Sequence, residues 1–226
     1  MVREIVFDTE TTGFDYNKGD RLIEIGAVEL INHVPTGMVY HQYINPEREV
    51  PDDAVRVHGL TYDFLKDYPT FDKVADSWLE FIEDANLVAH NASFDMNFVN
   101  YELKQLSKKE MSWSKCTDTL EMARSMFPGA RCSLDALCKR YEIDNSARTY
   151  HGALLDAQLL AEVYLELLGG KEPSFMLDTS LKKNIVEIND IVRQYREPRI
   201  FDINEDIEKL HQEFLEKNIK NPVWNN

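Results

Sequence analysis

Ile5-Val6-Phe7-Asp8-Thr9-Glu10-Thr11-Thr12-Gly13 joins a short apolar run of β-branched and aromatic residues to a polar turn. The run predicts a buried strand, stopped by Asp8 and the Thr-Thr-Gly turn signal. Asp8 and Glu10 stand two residues apart at the end of that strand, and a period of two points both carboxylates to one side of a sheet. Two acids so placed repel and raise each other's pKa, so the pair makes sense around a divalent cation. A lone D-x-E is more often a solvated strand end, so its weight depends on what the rest of the chain supplies.

Outward from this stretch, Leu22 to Ile31 alternates as a second strand and Val39 to Ile44 reads as a third, joined by a turn over Asn32 to Gly37. Phe71, Val74, Trp78, Phe81 and Ile82 have the spacing of an amphipathic helix, and Leu87-Val88-Ala89 that of a buried fourth strand. Ser93 can cap a helix reaching about Leu106, Asp118 another with Glu121 in the capping-box position, and Ser133 to Tyr141 a shorter one. Leu154 to Leu168 predicts a long helix ended by Gly169-Gly170. Strands followed by helices with a buried strand between them predict an α/β architecture.

After about Pro173 the pattern changes to two amphipathic segments, Leu181 to Tyr195 and Ile203 to Phe214, separated by Pro198. A boundary between a domain over 1–172 and a C-terminal tail over 173–226, helical or flexible, follows. The 226 residues carry 25 basic and 40 acidic groups, net −15. Residues 176–226 hold 8 basic and 10 acidic groups, so the first 175, with 17 against 30, carry −13. Such a surface disfavours broad adhesion to a phosphate polymer; a nucleic acid substrate requires a local reversal of sign. Cys116, Cys132 and Cys138 are odd in number and form no C-x-x-C pair, which argues against a disulfide framework or zinc cage and for a reducing cytosol. No apolar stretch is long enough to cross a membrane.

Two further clusters carry chemistry. Asp95 follows His90-Asn91-Ala92-Ser93-Phe94, where a buried strand hands over to a helix, a position at which α/β folds place ligand-binding groups. In Tyr150-His151-Gly152-Ala153-Leu154-Leu155-Asp156, His151 sits on a loop loosened by Gly152 while Asp156 falls one turn inside a helix. Alone, each has an ordinary structural reading: a first-turn acid favouring the helix dipole, and a histidine at a helix start. In order along one chain, Phe7-Asp8-Thr9-Glu10-Thr11-Thr12-Gly13, His90 to Asp95 and His151 to Asp156 resemble the three motifs of the DEDDh exonuclease family. With Val57-His58-Gly59-Leu60-Thr61 between the first two, the first 170 residues resemble more narrowly the proofreading ε-subunit family of bacterial DNA polymerase III.

The resemblance implies a ribonuclease H-like mixed sheet flanked by helices and a metal-dependent 3′–5′ exodeoxyribonuclease that removes mispaired 3′-terminal nucleotides as 5′-mononucleotides. It implies two Mg²⁺ or Mn²⁺ ions, held by Asp8, Glu10 and Asp156 directly, with Asp8 bridging, and by Asp95 at least partly through water. Oxygen donors favour those metals over zinc. His151 is the implied general base, because an imidazole of reference pKa about 6.5 can take a proton from water near neutral pH. Substrate contacts are implied for Asp8, Glu10, Thr11, His58, His90, Asn91, Phe94 and Asp156, and for Asp53, where the family pattern tends to carry the longer Glu. A frayed 3′ strand costs less to unpair on entering a single-strand cleft, which favours mismatched ends without base reading.

The tail, with Ile191-Val192-Arg193-Gln194, the acidic Asn204 to Glu208 stretch and Val223-Trp224, resembles the segment by which these subunits hold the polymerase catalytic (α) subunit. The glutamine that often opens a sliding-clamp-binding peptide is absent after Gly169-Gly170, leaving Phe175 and Leu177 as the apolar pair for a clamp contact. The implied location is the bacterial cytosol. Two alternatives fit fewer residues: a DEDDh enzyme trimming RNA or single-stranded DNA ends, and an assembly module whose acids are structural. A nucleotide-binding domain lacks any G-x-G-x-x-G or P-loop sequence.

Overall fold

The computed structural model describes residues 1–146, 150–169 and 205–218. The chain divides into two units, Met1–Phe175 and Met176–Asn226. Unit one is built on a five-stranded mixed sheet of β1 (Arg3–Thr11), β2 (Leu22–Ile31), β3 (Val34–Tyr43), β4 (Asn86–Ala89) and β5 (Cys116–Asp118). Their order is β3-β2-β1-β4-β5, with β1, β2 and β3 antiparallel and β1, β4 and β5 parallel. Among the described residues seven α-helices decorate it: α1 (Asp52–His58), α2 (Tyr62–Leu65), α3 (Phe71–Ile82), α4 (Ala92–Gln105), α5 (Thr119–Met126), α6 (Leu134–Arg140) and α7 (Ala153–Leu167).

β1 is longer than its apolar run predicts. It does not stop at Asp8, because backbone pairing continues through Asp8↔Gly26, Glu10↔Glu24 and, past a bulge, Thr11↔Leu22. Both acids therefore belong to the central strand. Ile5 and Phe7 on one face join Trp78, Val99 and Leu103 in a core closed by α3 and α4. Val6 on the other face joins Val28, Val88, Leu160 and Val163 beneath α5, α6 and α7. Strand alternation thus assigns even-numbered β1 residues to the α7 side and odd-numbered ones to the α4 side.

Three other expectations need correction. The β2–β3 turn spans only Asn32 and His33, whose φ of 49° and 64° close a two-residue hairpin, so β3 begins at Val34 rather than Val39. Pro35 is tolerated in β3 because that strand lies at the sheet edge. Ser93 does not cap α4: the helix starts at Ala92, and its free amides go to a carboxylate on β5. The short β5 and helices α1 and α2 have no counterpart in the periodicity. Elsewhere α3, α6 and α7 fall within a residue or two of expectation, with Ser133 capping α6 through the Ala136 amide.

Cys132 and Cys138 are buried, Cys116 is half-buried, and no disulfide joins them. No described helix is long and apolar enough to cross a membrane. In unit two, α8 (Glu205–Asn218) is helical where Ile207, Leu210 and Phe214 predict it. The expected Leu181 to Tyr195 helix, Phe175, Leu177 and Val223-Trp224 lie outside the described residues.

Candidate active site

A cleft of about 820 Å³ opens at the carboxyl end of β1, and all the residues singled out from the sequence line it, from Asp8, Glu10 and Thr11 through Asp53, His58, His90, Asn91, Phe94 and Asp95 to His151 and Asp156. Topology explains the convergence. Parallel strand β4 ends level with Phe7, so the last residues of β1 run on past the start of α4, where Thr9 reaches Asp95, while α7 crosses the opposite face, toward which Asp8 and Glu10 point.

Glu10, His151 and Asp156 form the tightest group, with one ligand atom from each lying within 4.8 Å of the others. His151 Nδ1 is 3.2 Å from Asp156 Oδ2; Asp156 is buried at 2% exposure, whereas the imidazole is half exposed. Asp8 and Asp95 line the cleft outside that group. Asp95 is buried at 2% exposure in the first turn of α4, and its Oδ1 accepts a 2.6 Å hydrogen bond from the Thr9 hydroxyl. Burial drives its carboxyl up to about 7 against the Thr9 bond, which pulls it down. Thr9 itself, between the two acids, escapes sequence reasoning; the strand period that sends Asp8 and Glu10 one way sends it toward α4.

The approach of α7 depends on Gly26. A Cβ there would sit 2.1 Å from the Leu154 amide nitrogen, so only glycine lets β2 touch the backbone of the first turn of α7, the turn that carries Asp156. The segment before that helix is tied elsewhere. His151 N–H donates to the Val57 carbonyl at 3.1 Å, and the Tyr150 ring lies against Gly59, whose φ of 75° ends α1. His58, buried at the end of α1, accepts the Leu60 amide on Nδ1 at 3.0 Å. Burial lowers the His58 pKa, opposed by Glu24, the buried Cα partner of Glu10, and by the Thr11 carbonyl.

On the other wall, Asp118 at the end of β5 accepts amide hydrogen bonds from Asn91, Ala92 and Leu120 at 2.8 to 3.1 Å. One carboxylate caps both α4 and α5 and fixes the turn from which Asp95 projects. Asn91 adopts a left-handed φ of 62° there. His90 Nδ1 meets the Thr119 hydroxyl at 2.9 Å, and burial lowers its pKa. Phe94 packs on Phe98 and, with ring centroids 6.4 Å apart, on Phe14, which is 87% exposed at the rim. Phe14 also escapes sequence reasoning; an exposed aromatic two residues after the motif's second threonine is its only signal. Asp53 is at the mouth, exposed and paired with Arg56.

The donor set fits hard divalent cations. Glu10, Asp95 and Asp156 are each at most 8% exposed, and buried carboxylates facing one cleft are stable as anions only against positive charge. The tight group offers carboxylate oxygen and imidazole donors and no thiolate.

The Exonuclease (RNase_T) family model matches residues 5–164. The chain is 50% identical over 225 residues to a DNA polymerase III subunit epsilon of Rickettsia felis, covering 97% of this chain and 98% of that one. It is 49% identical over 210 residues to the corresponding subunit of Escherichia coli K12, covering 88% and 86%. Among solved structures, Exonuclease X in complex with 5′ overhanging duplex DNA superposes with a TM-score of 0.56 at 25% identity, over 74% of this chain and 91% of that one.

Proposed function

Because the chain belongs to the DEDDh exonuclease family, and within it to the ε subunits of DNA polymerase III, we propose that its cleft removes mispaired nucleotides from DNA 3′ ends during replication. It is a 3′–5′ proofreading exonuclease, a hydrolase that acts within the polymerase complex. The observation that carries the site assignment is the convergence of Glu10, His151 and Asp156 beside buried Asp95.

The reaction is attack of water on a phosphodiester, with negative charge gathering on the phosphoryl oxygens and the departing 3′ oxygen. Four carboxylates alone would oppose it. Asp8, Glu10 and Asp156, with Asp95 behind them, would hold two Mg²⁺ or Mn²⁺ ions, which activate water and offset that charge when bound. The protein's own contribution is placement. Asp8 and Glu10 stand on the hydrogen-bonded backbone of β1, and Asp95 and Asp156 on the first turns of α4 and α7, so the carboxylates are held in place before substrate arrives.

His151 is the proposed base. It sits on the segment before α7, tied through its amide to Val57, so the imidazole can leave the Asp156 carboxylate while its backbone stays in place. Its ring nitrogen takes the proton from the attacking water and delivers it to solvent at the cleft mouth. The terminal nucleotide would lie over Thr11 and His58, with His90 and Asn91 lining its path and Phe94 and Phe14 offering aromatic faces on which a base can stack.

Residues 173–226 are proposed to hold the polymerase catalytic subunit. The exonuclease model ends at 164 and Exonuclease X covers 74% of the chain, yet likeness to the ε subunits runs over 97% of it. What lies beyond the nuclease is therefore shared with proteins of a polymerase assembly.

The test is a primer–template with a single 3′ mismatch, incubated with the purified protein and Mg²⁺. Stepwise shortening from the 3′ end with release of 5′-mononucleotides is expected, abolished by EDTA and by Asp156→Asn. Release from the 5′ end, or no cleavage at all, would refute the assignment.

A further inference from the structure

We propose that Arg131 and Lys139, with Arg140, form a phosphate-binding rail that takes the backbone of the DNA strand upstream of the terminal nucleotide. The inference rests on the nuclease reading and extends it to a second subsite.

An open hollow lined by Arg131, Ser133, Asp135, Ala136, Lys139 and Arg140 adjoins the catalytic cleft, and Ser133 and Asp135 line both. The rail thus begins where the cleft ends. Arg124, in the last turn of α5, lines the cleft itself and continues the positive line inward. Elsewhere in unit one, Arg3 is engaged by Glu29, Arg21 by Glu102, Arg48 by Asp20 and Lys108 by Asp76, while Lys73, Lys104 and Lys109, which have no ion pair among the described residues, do not line the cleft. Among the described residues, Arg124, Arg131 and Lys139 have no such ion pair, and Arg140 stacks instead on the Phe127 ring at 4.2 Å. Among the described residues Asp135 is the one carboxylate lining the hollow, and its Oδ1 accepts from the Asn145 side-chain amide at 3.2 Å.

Three cations gathered around a single carboxylate leave an excess of positive charge that a polyanion can neutralise, and in a chain of net −15 a local cationic strip focuses the field on one path. A single-stranded backbone with its 3′ end in the cleft must leave past one wall. Among the described residues that line the cleft or adjoin it, the α5–α6 wall carries the positive charge without an acidic partner.

The test compares two substrates on the full-length protein: a single-stranded oligodeoxynucleotide of roughly 20 nucleotides, enough to extend beyond one subsite, and the p-nitrophenyl ester of thymidine 5′-monophosphate, which has no upstream backbone. In Arg131→Gln/Lys139→Gln, with Arg140 spared because it packs on Phe127, oligonucleotide KM should rise about tenfold at low salt. The slope of log KM against log salt should fall by about 0.7 per lost contact. Ester kinetics should stay within twofold, and Arg131→Lys/Lys139→Arg should restore the oligonucleotide KM. An unchanged oligonucleotide KM and salt slope would overturn the rail. So would a parallel loss on the ester by a variant with unaltered circular dichroism, or failure of the charge-preserving variant to restore KM. If the wild type cleaves neither substrate with Mg²⁺, the nuclease reading fails and the rail falls with it.

Discussion

The Thr9 hydroxyl hydrogen-bonds Asp95 across the β1–α4 junction at 2.6 Å, although Thr9 stands between two acids that face the opposite helix. In Thr9→Val the shape is kept and the donor lost. Metal affinity and turnover should both fall about 10- to 100-fold, as for other partners that orient a ligand. Thr9→Ser should retain most of both. Mn²⁺ titration of the two variants checks this, and equal affinities would remove Thr9 from the site.

Asp95 also sets a pH dependence. Its carboxyl is near 7 in the fold against an ordinary value of 3.8, so between those limits the folded state holds a proton that the unfolded chain lacks. In metal-free protein this contribution to stability is complete below about 4 and disappears as pH rises through about 7. His58 and His90, lowered by burial, act oppositely below their ordinary value of 6.5, so the readout is the difference between wild type and Asp95→Asn. Asp95→Asn should gain stability over wild type as pH climbs from 4 to 7, measured by urea unfolding in EDTA. Parallel curves would refute the shift.

Gly26→Ala tests the contact between β2 and α7. The added methyl group would meet the Leu154 amide nitrogen at 2.1 Å, and because backbone cannot rotate away, the first turn of α7 must lift. A cost of about 1 to 3 kcal/mol is expected, which for a chain of this size lowers Tm by roughly 3 to 10 °C. Turnover should fall more than stability, because Asp156 moves with the turn. Full activity with an unchanged Tm would show that the sheet yields instead.

His151→Ala should reduce the rate by about 10² to 10⁴ while leaving Mn²⁺ binding largely intact, since a proton acceptor is removed and the carboxylates remain. Full turnover in magnesium buffer would exclude the role.

Truncation after Pro173 should leave single-strand digestion intact and abolish capture of the polymerase catalytic subunit in a pull-down. Equal capture by both chains would refute the tether.

Much of this was legible in the sequence because its chemistry repeats at the periods of regular structure. β2 is a run of strand-forming apolar residues, α3 and α7 repeat apolar residues at helical spacing, and three motifs in order bring their acids and histidines to one cleft. What escaped lacks a period. β5 is three half-buried residues, too short for alternation to show. α1 opens at Pro51 with no side-chain cap, so its start has no signal. Asp118 reads as the cap of its own helix, and nothing in the sequence says that the same carboxylate closes α4. Thr9 and Gly26 act through space, on partners 86 and more than 120 residues away.

The opposed faces of β1 leave that strand no freedom in length. One residue gained or lost between Ile5 and Asp8 would turn its outer half over, sending the acids into the Trp78 side of the interior and aiming the threonine at α7. Length variation is consequently excluded from this strand, and a single-codon deletion in it should abolish both folding and catalysis together.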